Sequence, residues 1–325
     1  MAVYCLSNDC ECNSCKRFRK LSFPKFIGTR RMLQLYGKSM GVIGFGAFGI
    51  VTKHKYGQKF FALKTANDAN ESWREKEMCE FLMHHKHKNI VEIFNVCLAE
   101  KLVIVMEYIG KSLRNVLDYM RNSDKRLKVK YTKPILRGIA CGLNFLHGHL
   151  LIHRDIKPEN VLVVLDTYTA KICDFGTAKV LEKVNTTYIC TRFYRAPEQI
   201  LDCSYTFSAD LWSLGCIACE IAYGSPFFVG DSNASQLCEI IKKMGCISED
   251  QLFRMKGEKL DLSKLAHLKG RPWSKLFNVY VNGKNVNTSY GTDFEDFVGK
   301  VLLWDPTERL TAHECTTHSF LENVC

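Results

Sequence analysis

Apolar residues follow two different patterns along the chain, and the change lies near residue 110. From about Met40 the sequence contains short β-like runs: GVIGFGAFGIV, KFFALK, VEIFNV and KLVIVMEY. Between the second and third run, residues 71–83 (ESWREKEMCEFLM) have the spacing of a helix. From Ser112 onward apolar residues recur at helical spacing, with breaks at Gly and Pro. The pattern predicts an α+β protein with a small β-rich lobe followed by a larger helical lobe.

The first 35 residues differ from the rest of the chain. They are rich in Cys, Ser, Lys and Arg and have no clear periodicity, so we expect residues 1–35 to be a flexible, basic extension without a core of its own. Residues 36–325 are then predicted to form one domain. Its N-lobe would cover about 36–109 and its C-lobe about 110–325.

Composition narrows the class of protein. Of the 325 residues 46% are hydrophobic and 24% are charged, which is typical of a soluble globular protein with an ample core. The net charge of +11 favours phosphorylated, nucleic-acid or acidic membrane partners, although a solvated basic surface has the same charge. The 16 Cys, without a secretory signal pattern, predict reduced thiols and a cytoplasmic or nuclear protein. Apolar runs are too short to span a membrane, so we expect no membrane partner.

A glycine-rich segment lies between the first β-like runs. It has the pattern G-x-G-x-x-G-x-V and comprises Gly44, Phe45, Gly46, Ala47, Phe48, Gly49, Ile50 and Val51. Glycines let a backbone approach phosphates closely and present N–H groups to them. A Gly-rich β-turn alone would look the same. Here, however, Lys64 follows Gly49 by 15 residues on a β-like run, where its ammonium can hold the α- and β-phosphates of a nucleotide.

Lys64 needs a carboxylate to hold it in place. We expect Glu77 on the predicted helix to supply it, because its neighbour one turn later, Phe81, would face the core. Glu75 and Glu80 are the alternatives.

A second group of motifs has the residue types of phosphoryl transfer. In the string HRDIKPEN, Asp155 can orient a hydroxyl and accept its proton, Lys157 can neutralise the moving phosphoryl group, and Asn160 can bind Mg²⁺. Asp174 of the string DFG follows Asn160 by 14 residues and can bridge Mg²⁺ to the β- and γ-phosphates. The string APE at 196–198 comes 22 residues after Asp174.

With these motifs in this order, residues 44–320 resemble a eukaryotic protein kinase, and Lys157 resembles the Ser/Thr branch. The resemblance implies ATP and Mg²⁺ as cofactors, protein substrates, and no direct binding of nucleic acid. It places Met106 at the back of the adenine pocket and residues 107–109 in the hinge. Further implied ATP contacts are Ile43, Ala62, Glu107, Ile109 and Leu162.

Two further positions match the protein kinase pattern. Asp210, in the string SADLWSLG, resembles the aspartate that braces the catalytic loop. Arg309, in the string DPTERL, resembles the arginine that pairs with Glu198.

A finer resemblance is to the group of cyclin-dependent, MAP and glycogen synthase kinases, whose hallmark is YRAPE at 194–198. The strings CDFGTAK, YICTR and RPWSKLF are most similar to glycogen synthase kinase 3. Alternatives remain: the T-x-Y pattern of Thr186 and Tyr188 is MAP-kinase-like, and a kinase fold can serve as a silent scaffold. Residues 230–290 could also dock partners.

The resemblance also implies regulation. Tyr188 matches an activation-segment phosphorylation site, and Lys76, Arg154 and Lys179 match a pocket for substrates that are already phosphorylated. Ser22, in the string RFRKLSF, matches an inhibitory site whose phosphate would enter that pocket, whereas a basic tail with a chance serine has the same sequence.

The N-terminal extension holds two further candidates. Cys5, Cys10, Cys12 and Cys15 could bind Zn²⁺, or they are ordinary thiols of a tail. The basic run at 16–20 could bind nucleic acid or direct nuclear import, although a solvated segment has the same composition.

Overall fold

The computed structural model describes most of the predicted kinase domain. The described residues are 36–46, 49–67, 73–98, 101–123, 125–181, 191–255, 268–281, 284–287 and 290–322. The N-terminal cysteines, Ser22, Thr186 and Tyr188 lie outside these ranges, as do two residues of the glycine-rich segment, Ala47 and Phe48.

A five-stranded antiparallel sheet begins the described chain. Its strands are β1 (Lys38–Gly46), β2 (Gly49–Tyr56), β3 (Lys59–Thr65), β4 (Ile93–Leu98) and β5 (Leu102–Glu107), in the order β1-β2-β3-β5-β4. The register pairs Lys64 with Val51 on one side and with Ile104 on the other. Paired residues place their side chains on the same face of a sheet, so Val51 and Lys64 face the same side.

One helix, α1 (Trp73–His84), packs against β4. Its buried apolar side chains are Met78, Cys79, Phe81 and Leu82, which recur at the spacing of one helical face. The same helix also buries two carboxylates, Glu75 and Glu80. Helix α1 therefore contributes side chains both to the core and to the site described below.

The second part of the chain is mainly helical. Its longer helices are α2 (Leu113–Asn122), α3 (Val129–Gly148), α5 (Ser208–Tyr223), α6 (Asn233–Met244) and α9 (Thr292–Val301). The shorter ones are α4 (Pro197–Ile200), α7 (Glu249–Arg254), α8 (Trp273–Leu276), α10 (Ala312–Thr317) and α11 (Ser319–Glu322). Short strands are β6 (Lys111–Ser112), β7 (Leu151–Ile152), β8 (Val161–Val164), β9 (Thr169–Ile172), β10 (Lys179–Val180) and the hairpin β11 (Asn278–Val281) with β12 (Lys284–Asn287).

The two parts share a continuous core. One cluster of buried side chains runs from Met78 in α1 to Phe320 in α11. Helix α5 lies at its centre, because all but two of its 16 residues are buried. The predicted α+β class, with a β-rich N-terminal part and a helical C-terminal part, is confirmed. None of the described helices is long and apolar enough to cross a membrane.

Candidate active site

Lys64 lies between two carboxylates. Its Nζ is 2.5 Å from Glu75 Oε1 and 2.8 Å from Asp174 Oδ1, and the lysine is only 5% exposed. Burial disfavours the ammonium, but Asp174 and Glu75 outweigh it and hold the pKa of Lys64 above its ordinary value. Burial also opposes ionisation of Asp174, but the Lys64 charge lowers the pKa of that carboxyl. The three side chains join β3, α1 and the DFG string.

The prediction of Glu77 as the partner of Lys64 is wrong, because Glu75 takes this place. Two residues along an α-helix correspond to a rotation of about 200°, so Glu75 and Glu77 point to opposite faces. Glu77 is half-buried and neighbours Lys76 and Glu80, and burial raises the pKa of its carboxyl. The sequence reasoning identified the helix but assigned the wrong one of its glutamates.

Asp155 is held by three neighbours in the catalytic loop and the segment after it. Lys157 Nζ is 2.6 Å from Asp155 Oδ2, and Thr191 donates its N–H and its hydroxyl to Asp155 Oδ1 at 3.1 and 3.0 Å. Asn160 Nδ2 donates to the backbone oxygen and to Oδ2 of Asp155 at 2.8 and 3.1 Å. Lys157 also donates to Thr191 Oγ1 at 2.9 Å. These bonds fix the position of the Asp155 carboxylate.

Asp210 of α5 holds the backbone of the catalytic loop in place. The N–H groups of His153 and Arg154 each donate to its carboxylate at 2.9 Å, and His147 Nε2 lies 3.0 Å from Oδ2. Burial opposes the charge of Asp210, but the hydrogen bond from His147 and that from the His153 N–H lower the pKa of its carboxyl. Arg154 has a φ of 67°, a strained conformation that these bonds maintain. The prediction for Asp210 is confirmed.

Two predicted metal ligands fit a hard cation. Asn160 uses its Nδ2 for Asp155, and among the described residues nothing donates to its Oδ1. Asp174 supplies a carboxylate whose pKa is already low. Amide and carboxylate oxygens are the ligands that Mg²⁺ prefers, and it keeps waters and phosphates as the rest. Within the described ranges no group of three or more His, Cys, Asp or Glu could hold a metal ion by itself.

The residues predicted to contact the nucleotide lie in β1, β2, β3, β5 and β8 and in the segment after β5. Ala62 is buried and pairs with Met106 in the register of β3 and β5. Phe45 of the glycine-rich segment is 81% exposed, and Ile43 is exposed as well. Gly49 has a φ of 147°, and a Cβ there would lie 2.3 Å from the Thr65 oxygen, so this position requires glycine. Gly44, Gly46 and Val51 lie in β1 and β2 beside it, and Leu162 lies in β8.

The hinge is anchored through its first residue. Glu107 Oε1 accepts from the Glu92 N–H at 2.7 Å and lies 2.5 Å from Lys171 Nζ. Its carboxylate is therefore engaged with β9 and the start of β4. The backbone of Glu107 to Ile109 remains the part of the hinge that the resemblance assigns to the adenine.

The three residues predicted to bind a priming phosphate lie on three elements. Lys76 of α1 pairs with Glu80 at 2.7 Å. Arg154 donates through Nε to the Thr177 oxygen at 2.6 Å and is buried, and Lys179 lies in β10. Lys76 directly precedes Glu77, the glutamate that was expected to bind Lys64. Because Glu75 binds Lys64 instead, the basic residue directly before the pairing glutamate is Arg74.

Two features of the site were not found from the sequence. Thr191 was noted only as part of a motif, yet it binds both Asp155 and Lys157. Arg114 of α2 binds Glu159, Tyr194 and Glu220, which come from three distant segments. No pattern of spacing along the sequence predicts that Arg114 meets these three residues.

A buried ion pair links the APE string to the C-terminal part. Arg309 donates through both terminal nitrogens to Glu198, each at 2.7 Å, and both side chains are 0% exposed. This pairing was expected and is confirmed.

The comparison with known families agrees with this geometry. The family described as the protein kinase domain matches residues 38–321, which is most of the chain. This range includes Lys64, the catalytic loop, the DFG string and Arg309. The chain belongs to the protein kinase domain family.

Proposed function

We propose that this chain is a protein serine/threonine kinase that transfers the γ-phosphate of ATP to a protein hydroxyl. The observation that carries the proposal is the arrangement at Asp155, where Lys157 lies 2.6 Å from the carboxylate and Thr191 donates twice to it. The family assignment supports phosphotransfer from ATP with a divalent metal.

The chemistry follows from the positions of the side chains. Asp155 orients the acceptor hydroxyl and accepts its proton, while Lys157 stabilises charge on the phosphoryl group in transit. Lys64, held by Glu75, binds the α- and β-phosphates of ATP. Asn160 and Asp174 would hold Mg²⁺, which would supply positive charge to neutralise the phosphates.

The choice of serine and threonine over tyrosine rests on Lys157 and Thr191. Together with Asp155 they form a closed triangle of contacts of 2.6 to 3.1 Å. A lysine that spans this short gap restricts the room beside the acceptor and favours a short aliphatic hydroxyl. The Ser/Thr-like string around Lys157 supports the same choice.

A finer proposal is a preference for substrates that are already phosphorylated near the target, as in glycogen synthase kinase 3. The pocket would be formed by Arg154, Lys179 and, by the register of α1, Arg74. Arginine binds phosphate with two parallel hydrogen bonds, which a lysine cannot do. The hydrogen bond between Lys64 and Glu75 supports Arg74 rather than Lys76 for this role.

Regulation remains a proposal on residues outside the described ranges. Tyr188 phosphorylation would place a dianion near Arg192 and Arg195. In the MAP-kinase-like alternative Thr186 would be modified as well. Ser22 phosphorylation would make the tail a pseudosubstrate. We also propose that residues 230–290 dock protein partners. The proposed location of the protein is cytoplasmic or nuclear.

The rival function is a kinase-fold scaffold without phosphotransfer. The test incubates the chain with Mg²⁺, labelled ATP and matched peptides that carry Ser, Thr or Tyr as the single acceptor. We expect transfer to Ser and Thr peptides, little to Tyr peptides, and none by Asp155→Asn of equal Tm. Transfer equal to that of Asp155→Asn would support the scaffold, and a preference for Tyr would refute the Ser/Thr assignment.

A further inference from the structure

Arg114 lies at the centre of a polar cluster. Its guanidinium donates through Nε to Glu159 Oε1 at 2.8 Å, through Nη1 to Glu220 Oε1 at 2.7 Å and through Nη2 to the Tyr194 hydroxyl at 2.8 Å. Tyr194 in turn donates to Glu220 Oε2 at 2.6 Å. All three nitrogens of one side chain are therefore used, on partners from three segments.

Two residues of this cluster, Glu159 and Tyr194, are close in sequence to the groups that hold Asp155. Glu159 directly precedes Asn160, whose amide binds Asp155. Tyr194 follows Thr191 by three residues, and Thr191 also binds Asp155. An extended peptide advances by about 3.3 Å per residue, so a side chain a few positions from the acceptor hydroxyl can reach this region.

The carboxylates of Glu159 and Glu220 differ in their exposure to solvent. The side chain of Glu220 is 0% exposed, whereas those of Arg114 and Glu159 are 19% and 46% exposed. The cluster is thus open to solvent on the side of the catalytic loop and closed on the side of α5. A guanidinium that approached from the loop side would meet Glu159 first and Glu220 behind it.

The negative charges of Glu159 and Glu220 make this cluster a site for a cation. Burial works against the Arg114 charge, but Tyr194, Glu220 and Glu159 hold the pKa of its guanidinium above the ordinary value. A second arginine, Arg121, lies 3.9 Å from Glu220 Oε1, and its Nε is committed to the Gly224 oxygen. Without Arg114, a buried carboxylate would lose its nearest cation, which is strongly unfavourable.

We propose that Arg114 determines substrate specificity: its guanidinium fills an acidic subsite beside the phosphorylation site and so excludes basic side chains of the substrate peptide. Removal of Arg114 vacates the subsite for an arginine of the peptide, whose guanidinium can donate to Glu159 and Glu220 as that of Arg114 does. The inference rests on the protein kinase activity proposed above.

The test compares peptides with Arg or Ala at each position within three residues of the acceptor. For the wild-type chain we expect no gain in kcat/KM from arginine at any of them. For Arg114→Ala we expect a gain of about tenfold at one position, the size of a hydrogen bond to a charged group. Millimolar methylguanidinium should abolish this gain and should raise the Tm of Arg114→Ala more than that of the wild type.

Arg121→Ala is the matched control, since it removes the other arginine near Glu220 and should create no preference for arginine. Adding Glu159→Gln to Arg114→Ala should reduce the gain. If Arg114→Ala does not fold, Arg114→Met keeps the apolar stem and is expected to show the same gain.

Two results would overturn the inference while leaving the proposed function intact. The first is a wild-type preference for arginine over alanine at these positions. The second is a folded, active Arg114 variant whose peptide preference is unchanged. Failure of the wild-type chain to phosphorylate any peptide would instead refute the proposed function, and the inference with it.

Discussion

At the scale of single residues, the site depends on which side of α1 a glutamate faces. Glu75 is buried and lies 2.5 Å from Lys64, while Glu77 is half-buried and neighbours Lys76 and Glu80. Burial raises the pKa of Glu75, and the Lys64 charge opposes this rise. The position of Lys64 toward the phosphates therefore depends on Glu75.

Substitution of these two glutamates should have unequal effects. Glu75→Gln removes the charge that holds Lys64, and we expect kcat/KM to fall by about 10²-fold, as for a misplaced catalytic group. Glu77→Gln should change it less than about threefold. Steady-state kinetics of the two variants with one peptide will check this, and equal losses in both would contradict the assignment of Glu75.

At the scale of elements, the register of α1 also decides which basic residue accompanies the Lys64 partner. Arg74 directly precedes Glu75 and is exposed, with its guanidinium 5.1 Å from the Trp73 ring. Lys76 follows Glu75 and pairs with Glu80 within the helix. The exposed arginine is free of such an ion pair among the described residues.

The preference for primed substrates should therefore depend on Arg74. We expect Arg74→Ala to raise the KM for a phosphorylated peptide about tenfold, as one charge-assisted hydrogen bond requires, and to leave the unprimed peptide unaffected. Lys76→Ala serves as the control and should have little effect. If priming does not change kcat/KM in the wild-type chain, the pocket itself is refuted.

Another interaction between elements is the ion pair of Glu198 in α4 with Arg309. Because both side chains are fully buried, Arg309→Met leaves an uncompensated carboxylate. We expect the free energy of unfolding to fall by about 3–5 kcal/mol. Urea unfolding will measure it. The double variant Glu198→Gln with Arg309→Met should recover part of this loss, and an additive further loss would contradict a direct ion-pair effect.

At the scale of the whole molecule, the β-rich and helical parts meet at a partly buried contact of the site. Lys64 of β3 and Asp174 of the DFG string are 110 residues apart in the chain and 2.8 Å apart in space. Neither part alone contains both groups. Phosphotransfer therefore requires the relative position of the two parts that the shared core maintains.

Lys64→Met and Asp174→Asn should each abolish phosphotransfer while the chain remains folded. The first removes the cation for the α- and β-phosphates, and the second removes a carboxylate ligand of the metal. Labelled-ATP assays measure activity, and circular dichroism with thermal melting controls for folding. Near-normal turnover by either folded variant would contradict the roles of these residues.

The sequence alone determined the class of fold and most of the site. Patterns of period two and 3.6 are local, so they predicted β1 to β5 and the helices that follow. The motifs around Lys64, Asp155 and Asp174 identified phosphate chemistry because the spacing of a loop and a strand limits where their side chains can lie. Asp210 and Arg309 were expected from the resemblance of the strings SADLWSLG and DPTERL to those of protein kinases.

Only the tertiary structure decided which residues meet across distant segments. The choice between Glu75 and Glu77 depends on where α1 begins and how it rotates against the sheet, and a shift of two residues reverses the face. Arg114 meets Glu159 and Glu220 because α2, the catalytic loop and α5 pack together, although 106 residues separate Arg114 from Glu220. Such contacts arise from packing, which local periodicity does not encode.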